Sequence, residues 1–239
     1  MKLFLIRYTK MAFTYLRLHF FFNLFSGLFL NIVYLSKFSS WVNRNKKIAF
    51  NDFPGKWDYN KRFSLYKWVI ENENLAGVAI NYIEFGVADG HSIKWFAEQN
   101  TNAQSCFHGF DTFTGLPEDF GVYKKGQFNT NNRVPEIADP RVKFYPGLFQ
   151  QTVPGFLKEL DKSNRNVIMM DADLYSSTLY ALTSLAPFLK KGDIIFFDEF
   201  AVPTHEFRAF HDFVQSYYTD LELIAAASNY YFAAFKVGS

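Results

Sequence analysis

Short apolar runs alternate with helix-like patterns from about residue 60 to the end of the chain. The helix-like patterns place apolar residues three and four positions apart, whereas the short runs end in Gly, Pro or Asp, as strands do before a turn. Helices are predicted over residues 62–73, 92–99, 152–160, 175–189 and 205–218. Strands are predicted over residues 81–87, 106–110, 142–145, 166–170, 193–197, 221–227 and 230–237.

The alternation of strands and helices predicts an α/β fold. Strands joined by helices of this length are crossover-connected, and crossovers make neighbouring strands parallel. The last two strands are separated only by Ser228 and Asn229, which is too short for a crossover and predicts an antiparallel hairpin. We therefore expect one doubly wound, mostly parallel sheet of seven strands that ends in this hairpin. Residues 115–139 lack periodicity and predict a long loop over the site.

The first 51 residues differ from the others in charge. They contain no acidic residue and eight basic ones, whereas residues 52–239 contain all 23 acidic residues and 17 basic ones, a net charge of −6. We therefore divide the chain into an N-terminal leader, residues 1–51, and a body, residues 52–239. An acidic body lacks the dense basic surface that phosphate binding needs, so we expect no nucleic-acid partner.

The leader contains a long uncharged stretch. Between Arg17 and Lys37 lie 19 residues without a formal charge, a length at the lower edge of what a membrane-spanning helix needs. A weakly polar stripe at helical spacing is instead typical of a helix that lies in the membrane interface. Three interpretations stay open: a helix docked on the body or on a second copy of the chain, an interfacial membrane helix, and a single span. We thus expect residues 10–36 either to contact a membrane or to form a homo-oligomer through the same helix.

The compartment is indicated by two further features. The single cysteine, Cys106, excludes an intrachain disulfide and suits a reducing compartment. No clear small-residue cleavage site follows the apolar stretch, so we expect no secretory signal. The expected location is cytoplasmic, with the leader as the candidate membrane attachment.

Acidic residues or glycines follow nearly every predicted strand. They are Glu84, Gly86, Asp111, Gly147, Asp171, Asp198 and Glu199. In an open parallel sheet, ligands bind beyond the carboxyl ends of the strands, and these ends share one edge. One or two such acids could serve as helix caps, but a set of this size at one edge predicts a binding site.

The turn at residues 84–90 (EFGVADG) favours a positively charged cofactor without phosphates. Gly86 and Gly90 would let the backbone approach a ligand closely, and the helix that follows would direct its amide end at it. A nicotinamide fold would need two further glycines that this turn lacks, and Glu84 would repel a pyrophosphate but attract a cation. Asp111, at the end of the next strand, is placed to accept hydrogen bonds from both hydroxyls of an adenosine ribose.

A second acidic group predicts a metal site. Asp171, Asp198 and Glu199 follow strands that should be close in the sheet, and hard oxygen ligands of this kind suit Mg²⁺. Asp173 could join them or could cap the next helix. Asp171 and His205 are the candidate general bases, because both are expected near a substrate hydroxyl; a loop histidine such as His205 is as readily structural.

Four segments together resemble the class I S-adenosylmethionine-dependent methyltransferases, and among them the macrocin O-methyltransferase family, which methylates sugar hydroxyls of natural products. They are residues 84–90, 108–120 (HGFDTFTGLPEDF), 169–182 (MMDADLYSSTLYAL) and 192–200 (GDIIFFDEF). The resemblance covers about residues 60–237 and implies a Rossmann-like methyltransferase catalytic domain over residues 52–239. Nothing in it maps onto the leader.

The resemblance also implies roles for single residues. Glu84, Gly86 and Gly90 would hold the methionine part of S-adenosylmethionine, and Asp111 would hold its ribose. Asp171, Asp198 and Glu199 would bind Mg²⁺, with Asp171 also next to the cofactor. The family has two consecutive aspartates where this chain has Asp198 and Glu199, and the longer side chain of Glu199 displaces one ligand.

We therefore expect an enzyme that transfers a methyl group from S-adenosylmethionine to a hydroxyl of a sugar or another small natural-product-like molecule, with Mg²⁺ activating that hydroxyl. Two alternatives stay open. One is a metal-independent methyltransferase in which Asp171 is the base, and the other is a membrane-tethered cofactor-binding module without turnover on the same scaffold. A nicotinamide oxidoreductase is disfavoured by the glycine pattern.

Overall fold

An eight-stranded sheet forms the centre of the computed structural model, which describes residues 2–238. Its strands are β1 (Phe50–Asn51), β2 (Ile80–Phe85), β3 (Cys106–Asp111), β4 (Val142–Pro146), β5 (Arg165–Met170), β6 (Ile194–Phe197), β7 (Leu221–Ala227) and β8 (Phe232–Val237). Their order across the sheet is β1-β7-β8-β6-β5-β2-β3-β4. Only the pairings of β8, with β6 and β7, are antiparallel among those described.

The predicted mostly parallel sheet with a C-terminal antiparallel hairpin is confirmed. It has one strand more than expected, because Phe50 and Asn51 pair in parallel with β7. A two-residue strand leaves no alternating pattern in the sequence, so periodicity could not reveal it. This strand also lies inside the predicted leader, whose last residues therefore belong to the sheet.

Helices of the body lie on both faces of the sheet, and further helices form the leader. They are α1 (Lys2–Tyr15), α2 (His19–Phe22), α3 (Ser26–Asn45), α4 (Lys61–Asn72), α5 (His91–Gln99), α6 (Phe149–Glu159), α7 (Tyr175–Leu185) and α8 (Glu206–Tyr217), with 3₁₀ turns at Asn23–Phe25 and Ala186–Phe188. Two helix bounds differ from prediction by more than one residue. Helix α6 begins earlier because the Gln151 side chain accepts the Leu148 amide hydrogen bond at 3.1 Å, and α7 ends earlier because Pro187 lacks an amide hydrogen to continue it.

The core is divided between the two faces of the sheet. Successive strand residues point to opposite faces, so Phe196 of β6 packs with α4 and α5 on one face, whereas Phe197 packs with α7 and α8 on the other. Both faces are thus covered, as a mostly parallel sheet requires. The carboxyl ends of the central strands remain open to ligands at one edge of the sheet.

The predicted loop over residues 115–139 is confirmed. Apart from an isolated bridge between Phe120 and Tyr123, no helix or strand is described in it. Leu116 and Phe120 pack on Leu174, just after β5. A Cβ built on Gly90 would lie 2.9 Å from the Cβ of Pro135. The loop therefore lies across the carboxyl ends of the strands.

The leader has an exposed part and a packed part. Residues 2–33 are exposed apart from the half-buried Leu18. From Tyr34 onward the helix packs on the body, where the Tyr34 hydroxyl donates a hydrogen bond to Asp212 at 3.1 Å and Trp41 contacts the ring of Phe200. Docking on the body, one of the three interpretations, is thus observed for the second half of α3. The helical stretch His19–Asn45 is also long and apolar enough to cross a bilayer, judged by length and composition alone.

Candidate active site

A cavity of about 680 Å³ lies beyond the carboxyl ends of the central strands. Its lining includes Gly86, Asp111, Asp171, Asp198 and Glu199, so the structure brings five of the predicted site residues together. Small-molecule and cofactor pockets have volumes of roughly 300–1,000 Å³. The cavity is therefore large enough for a nucleoside cofactor beside the reacting part of an acceptor.

Three other predicted site residues are not among the described lining residues. Glu84 is buried within β2, where it accepts a hydrogen bond from the Tyr82 hydroxyl at 2.6 Å. Gly90 begins α5 beneath the long loop. His205 accepts the Tyr175 amide hydrogen bond at 3.3 Å and packs edge-on against Phe120. Their roles in cofactor binding and catalysis stay predictions, and in this arrangement they would act through neighbouring residues.

Gly86 connects the predicted cofactor turn to Asp171. Its φ of +91° lies in the region that favours glycine. A Cβ on residue 86 would lie 1.8 Å from the Asp171 carbonyl oxygen, so a side chain cannot fit there. Glycine thus lets the ends of β2 and β5 approach each other beside the cavity.

Asp111 holds this turn from β3. One carboxylate oxygen accepts hydrogen bonds from the amides of Val87 and Ala88, at 2.8 and 2.9 Å. The other accepts the Phe113 amide at 2.7 Å. A carboxylate offers about four acceptor positions, so one is left for a ribose hydroxyl. The predicted ribose ligand therefore also has a structural role that its position in the sequence did not show.

Asp198 is bound by two residues of α4. Its Oδ1 accepts a hydrogen bond from the Tyr66 hydroxyl at 2.8 Å, and the Arg62 guanidinium lies 3.7 Å from its Oδ2. Sequence reasoning missed both α4 residues. The sequence did contain a signal for this contact. Arg62 lies one turn before Tyr66, on the same stripe of α4 as the apolar Leu65 and Val69. An arginine on a stripe that faces the core needs an acidic partner.

The carboxyl groups around the cavity outnumber the nearby cations. Burial raises the pKa of Asp171 well above its usual range, and the charges of Asp198 and Asp173 raise it further. Burial, with the charge of Glu199, raises the pKa of Asp173 to about 8. Among the described residues, Arg62 is the cation within ion-pair distance of this cluster. A bound cation would therefore be stabilised here.

Asp173 belongs to the cavity rather than to a helix cap. Its φ of +57° is left-handed, and α7 is preceded by Leu174 without a side-chain cap. The side chain of Asp173 lines the cavity. The capping alternative is therefore not observed.

The expected Mg²⁺ ligands fit a hard cation in chemistry but are not assembled. No group of three or more His, Cys, Asp or Glu side chains within residues 2–238 is arranged to hold a metal ion. Asp198 is directed towards Tyr66 and Arg62, and Glu199 Oε1 accepts the Tyr231 hydroxyl at 2.6 Å. Glu199 Oε2, however, is buried without a hydrogen-bond partner in the described part of the chain. That oxygen is a free hard donor of the kind that Mg²⁺ binds.

Aromatic side chains form the rim of the cavity. They are Trp57, Tyr59, Tyr123, Phe128 and Tyr231. Trp57 is 60% exposed, which leaves its ring face free for a ligand. Aromatic walls with a few polar groups are typical of small-molecule sites.

Comparison with known proteins gives a family match. The sequence model of the macrocin-O-methyltransferase (TylF) family matches residues 58–231. One curated relative is the 8-demethyl-8-(2,3-dimethoxy-alpha-L-rhamnosyl)-tetracenomycin-C 4'-O-methyltransferase of Streptomyces olivaceus, 28% identical over 163 residues. Another is the mycinamicin III 3''-O-methyltransferase of Micromonospora griseorubida, 32% identical over 115 residues.

These matches cover only part of each protein. They span 59% of this chain and 61% of the first relative, and 46% of this chain and 42% of the second. Among solved structures, CalS11, described as a calicheamicin methyltransferase, is 25% identical with a TM-score of 0.57, over 76% of this chain and 79% of that chain. The described sheet and its helices therefore have the methyltransferase fold.

Proposed function

We propose, from the premise that the chain belongs to the macrocin-O-methyltransferase family, that it transfers the methyl group of S-adenosylmethionine to a hydroxyl oxygen of a small, sugar-bearing molecule. The observation that carries this proposal is the cavity in which the glycine turn, Asp111 and Asp171 meet. A turn for a nucleoside and a carboxylate able to accept a proton are thus adjacent.

The residues present fit S-adenosylmethionine. When bound, it supplies a methyl group on a positively charged sulfonium. Gly86 would let the backbone lie against the ligand, and Asp111 would accept a hydrogen bond from the ribose with its remaining acceptor position. A nearby cation lowers the pKa of a carboxyl and a nearby anion raises it, so the already raised pKa values of Asp171 and Asp173 favour a cationic ligand over a phosphate-bearing one.

Asp171 is the proposed general base. It lines the cavity, and its raised pKa makes the Asp171 carboxylate a stronger base. His205 is not among the described residues that line the cavity, and its Nδ1 accepts the Tyr175 amide hydrogen bond, so we assign it to positioning α7. Within this proposal, Asp171 would accept the proton that the acceptor hydroxyl loses as the methyl group is transferred.

We further propose that Asp171, Asp198 and Glu199 would hold Mg²⁺. A bound Mg²⁺ would lower the pKa of an acceptor hydroxyl. The support is their oxygen chemistry and the unpartnered Glu199 Oε2. The metal-independent alternative has an observation of its own, since Arg62 already provides a cation 3.7 Å from Asp198.

A sugar hydroxyl is the proposed acceptor. The support is twofold: the two curated relatives are named as O-methyltransferases, one of them for a rhamnosyl compound, and the aromatic rim offers flat apolar surfaces for a ring. The single Cys106 suits a cytoplasmic enzyme.

The experiment combines binding and turnover. Calorimetry measures S-adenosylmethionine affinity, and methyl transfer is assayed from radiolabelled S-adenosylmethionine to rhamnosylated and macrolide acceptors. For Asp171→Asn we expect turnover to fall about 100-fold or more with cofactor affinity changed only a few-fold. The control is Glu71→Gln, whose carboxylate is on the exposed face of α4.

Three results separate the alternatives. Cofactor binding by the unsubstituted chain without transfer to any acceptor favours the non-catalytic module. Absence of cofactor binding contradicts the whole proposal. Full turnover in Asp171→Asn removes Asp171 as the base while leaving the activity intact.

A further inference from the structure

The exposed part of the leader carries an unusual amount of apolar surface. Within residues 2–33 the exposed large apolar side chains include Tyr15, Phe20, Phe21, Leu24 and Leu28, and Tyr15, Phe20 and Leu24 are 79–85% exposed. Monomeric soluble proteins rarely expose contiguous apolar patches of this kind unless the patch binds something. None of this surface packs on the described part of the body.

The distribution of apolar residues around the helices indicates a bilayer rather than one protein face. Between His19 and Val33, apolar residues occupy consecutive positions, as in Phe20-Phe21-Phe22 and Leu28-Phe29-Leu30. Such runs cover most of the helix circumference and leave only the narrow, weakly polar stripe of His19, Asn23, Ser26, Gly27 and Asn31. Most sides of the helix must therefore be surrounded, in a core or by lipid. A single docked protein would leave the other sides exposed.

Helix α1 combines apolar residues with a basic stripe. Phe4, Tyr8, Met11 and Tyr15 recur three or four residues apart and share one side, whereas Arg7, Lys10 and Thr14 share another. The basic stripe lies beside the apolar one, about 100° away at 3.6 residues per turn, and basic residues next to apolar ones suit a helix in the interface of an anionic membrane.

The charge of the leader also indicates an anionic membrane as its partner. Residues 1–51 carry eight basic side chains and no acidic one, although residues 52–239 have a net charge of −6. Basic residues next to inserted apolar side chains are attracted to anionic headgroups. The body, with its net negative charge, lacks this attraction, so the leader is the part of the chain that complements such a membrane.

The docking of α3 on the body limits how far the leader can reach into a membrane. Tyr34 is tied to Asp212 of the body, which leaves His19 to Val33 free, a length of about 22 Å at 1.5 Å per residue. The hydrocarbon core of a bilayer is about 30 Å thick. The backbone also turns at Arg17, where φ is +52°, and the rings of Phe13 and Phe22 lie 5.2 Å apart. Helix α1 and the helical stretch from His19 to Val33 therefore form a bent unit. This unit is too short to span a bilayer while Tyr34 is docked on the body.

We propose that residues 2–33 insert into one leaflet of an anionic lipid membrane and that the packed half of α3 holds the body at that surface. The packed half connects directly to the cavity wall, because Trp41 lies 4.9 Å from Phe200 and Phe200 follows Glu199. This inference does not depend on methyl transfer. It adds a site of attachment to the proposed function.

The test is flotation of the full chain with vesicles of phosphatidylcholine, with and without phosphatidylglycerol. We expect binding to the anionic vesicles, weaker binding to the neutral ones, and further weakening in high salt. The variant K2Q/R7Q/K10Q/R17Q removes four leader cations and should bind anionic vesicles at least about tenfold more weakly. The matched control, K67Q/K94Q/K158Q/K191Q, removes four exposed cations of the body and should bind like the unsubstituted chain.

A second variant tests insertion. F20S/F21S/L24S/F25S should lose binding to both vesicle types, because apolar burial provides the anchoring. All variants should retain cofactor affinity in calorimetry, since these residues are exposed and away from the cavity. The proposal is overturned if the chain floats with neither vesicle, if the leader and body charge variants behave alike, or if F20S/F21S/L24S/F25S converts a lipid-independent dimer to a monomer, which would make a second copy the occupant.

Discussion

Gly86 lies directly against Asp171: a Cβ on residue 86 would be 1.8 Å from the Asp171 carbonyl oxygen. The Asp171 amide also donates a hydrogen bond to the neighbouring Phe85 carbonyl at 2.9 Å. The end of the turn proposed to hold the cofactor and the start of the loop that carries the proposed base are therefore one rigid unit. The two functions of the cavity are coupled through the backbone.

Gly86→Ala should push the end of β2 away from Asp171. The new methyl group must displace backbone rather than a flexible side chain, and the φ of +91° disfavours alanine, so we expect a loss of about 2 kcal/mol or more in the free energy of unfolding. Cofactor affinity should fall with it. Denaturant unfolding and calorimetry measure the two effects.

Gly155→Ala is the matched control for this substitution. A Cβ on Gly155, within α6, meets nothing within 4 Å, so alanine there should leave stability equal or raise it by up to about 1 kcal/mol. Equal behaviour of the two variants would show that the approach of Gly86 to Asp171 does not constrain the turn.

Much of the architecture could be predicted because it follows from local patterns. The short apolar runs located the strands, and the two residues between the last strands, Ser228 and Asn229, required a hairpin. The parallel topology then placed Asp111, Asp171 and Asp198 at one edge, and the cavity contains all three. The family resemblance, carried by four short segments, is confirmed by the match over residues 58–231.

The surroundings of Asp198 could not be predicted from the sequence. Tyr66 and Asp198 are separated by 132 positions in the chain, and no local pattern shows which face of α4 meets the end of β6. The same limit applies to Glu84, which the strand-end pattern placed at the ligand but which the pleat directs into the core beside Tyr82. Side-chain direction depends on packing that a single sequence does not state.

Arg62 and Asp198 should be strongly coupled in stability. Both are largely buried, and removing one partner of a buried ion pair leaves an uncompensated charge, which costs about 3–5 kcal/mol. We expect Arg62→Met and Asp198→Asn each to be destabilising and the double variant to be less destabilised than the sum. Denaturant unfolding of all four proteins gives the coupling energy.

Lys67→Met is the control for this cycle, because Lys67 lies on the exposed face of the same helix, 3.9 Å from Glu71. An exposed pair of this kind contributes less than about 1 kcal/mol. Strict additivity of Arg62→Met and Asp198→Asn would mean that the 3.7 Å separation reflects no energetic pairing.

Removal of divalent metal should separate the two forms of the proposed mechanism. If Asp171, Asp198 and Glu199 hold Mg²⁺, treatment with EDTA should abolish methyl transfer, and added Mg²⁺ should restore it. Glu199→Gln should need a higher Mg²⁺ concentration, because one hard anionic donor is lost. Cofactor affinity, measured by calorimetry, should change little. Turnover that is insensitive to EDTA would favour the metal-independent alternative, with Arg62 as the resident cation.

The buried Glu84 should make stability depend on pH. Burial raises the pKa of this carboxyl from its ordinary 4.5 to about 8, so the folded chain keeps its proton at pH values where the unfolded chain has lost it. The stabilisation is complete below about pH 4.5 and is lost as the pH rises towards 8, by about 1.4 kcal/mol per pH unit. The pKa values of Asp171 and Asp173 are raised in the same direction, so the contribution of Glu84 must be measured as a difference.

Glu84→Gln should remove this contribution while preserving an acceptor for the Tyr82 hydroxyl. Between pH 5 and 8 its free energy of unfolding should fall less steeply than that of the unsubstituted chain, so the variant gains relative stability as the pH rises. Glu222→Gln, at an exposed position of β7, should instead run parallel to the unsubstituted chain. Parallel curves for Glu84→Gln would mean that Glu84 is ionised in the fold. Calorimetry on the same variant tests its predicted cofactor role, since a cradle residue would weaken S-adenosylmethionine binding and a residue confined to the core would not.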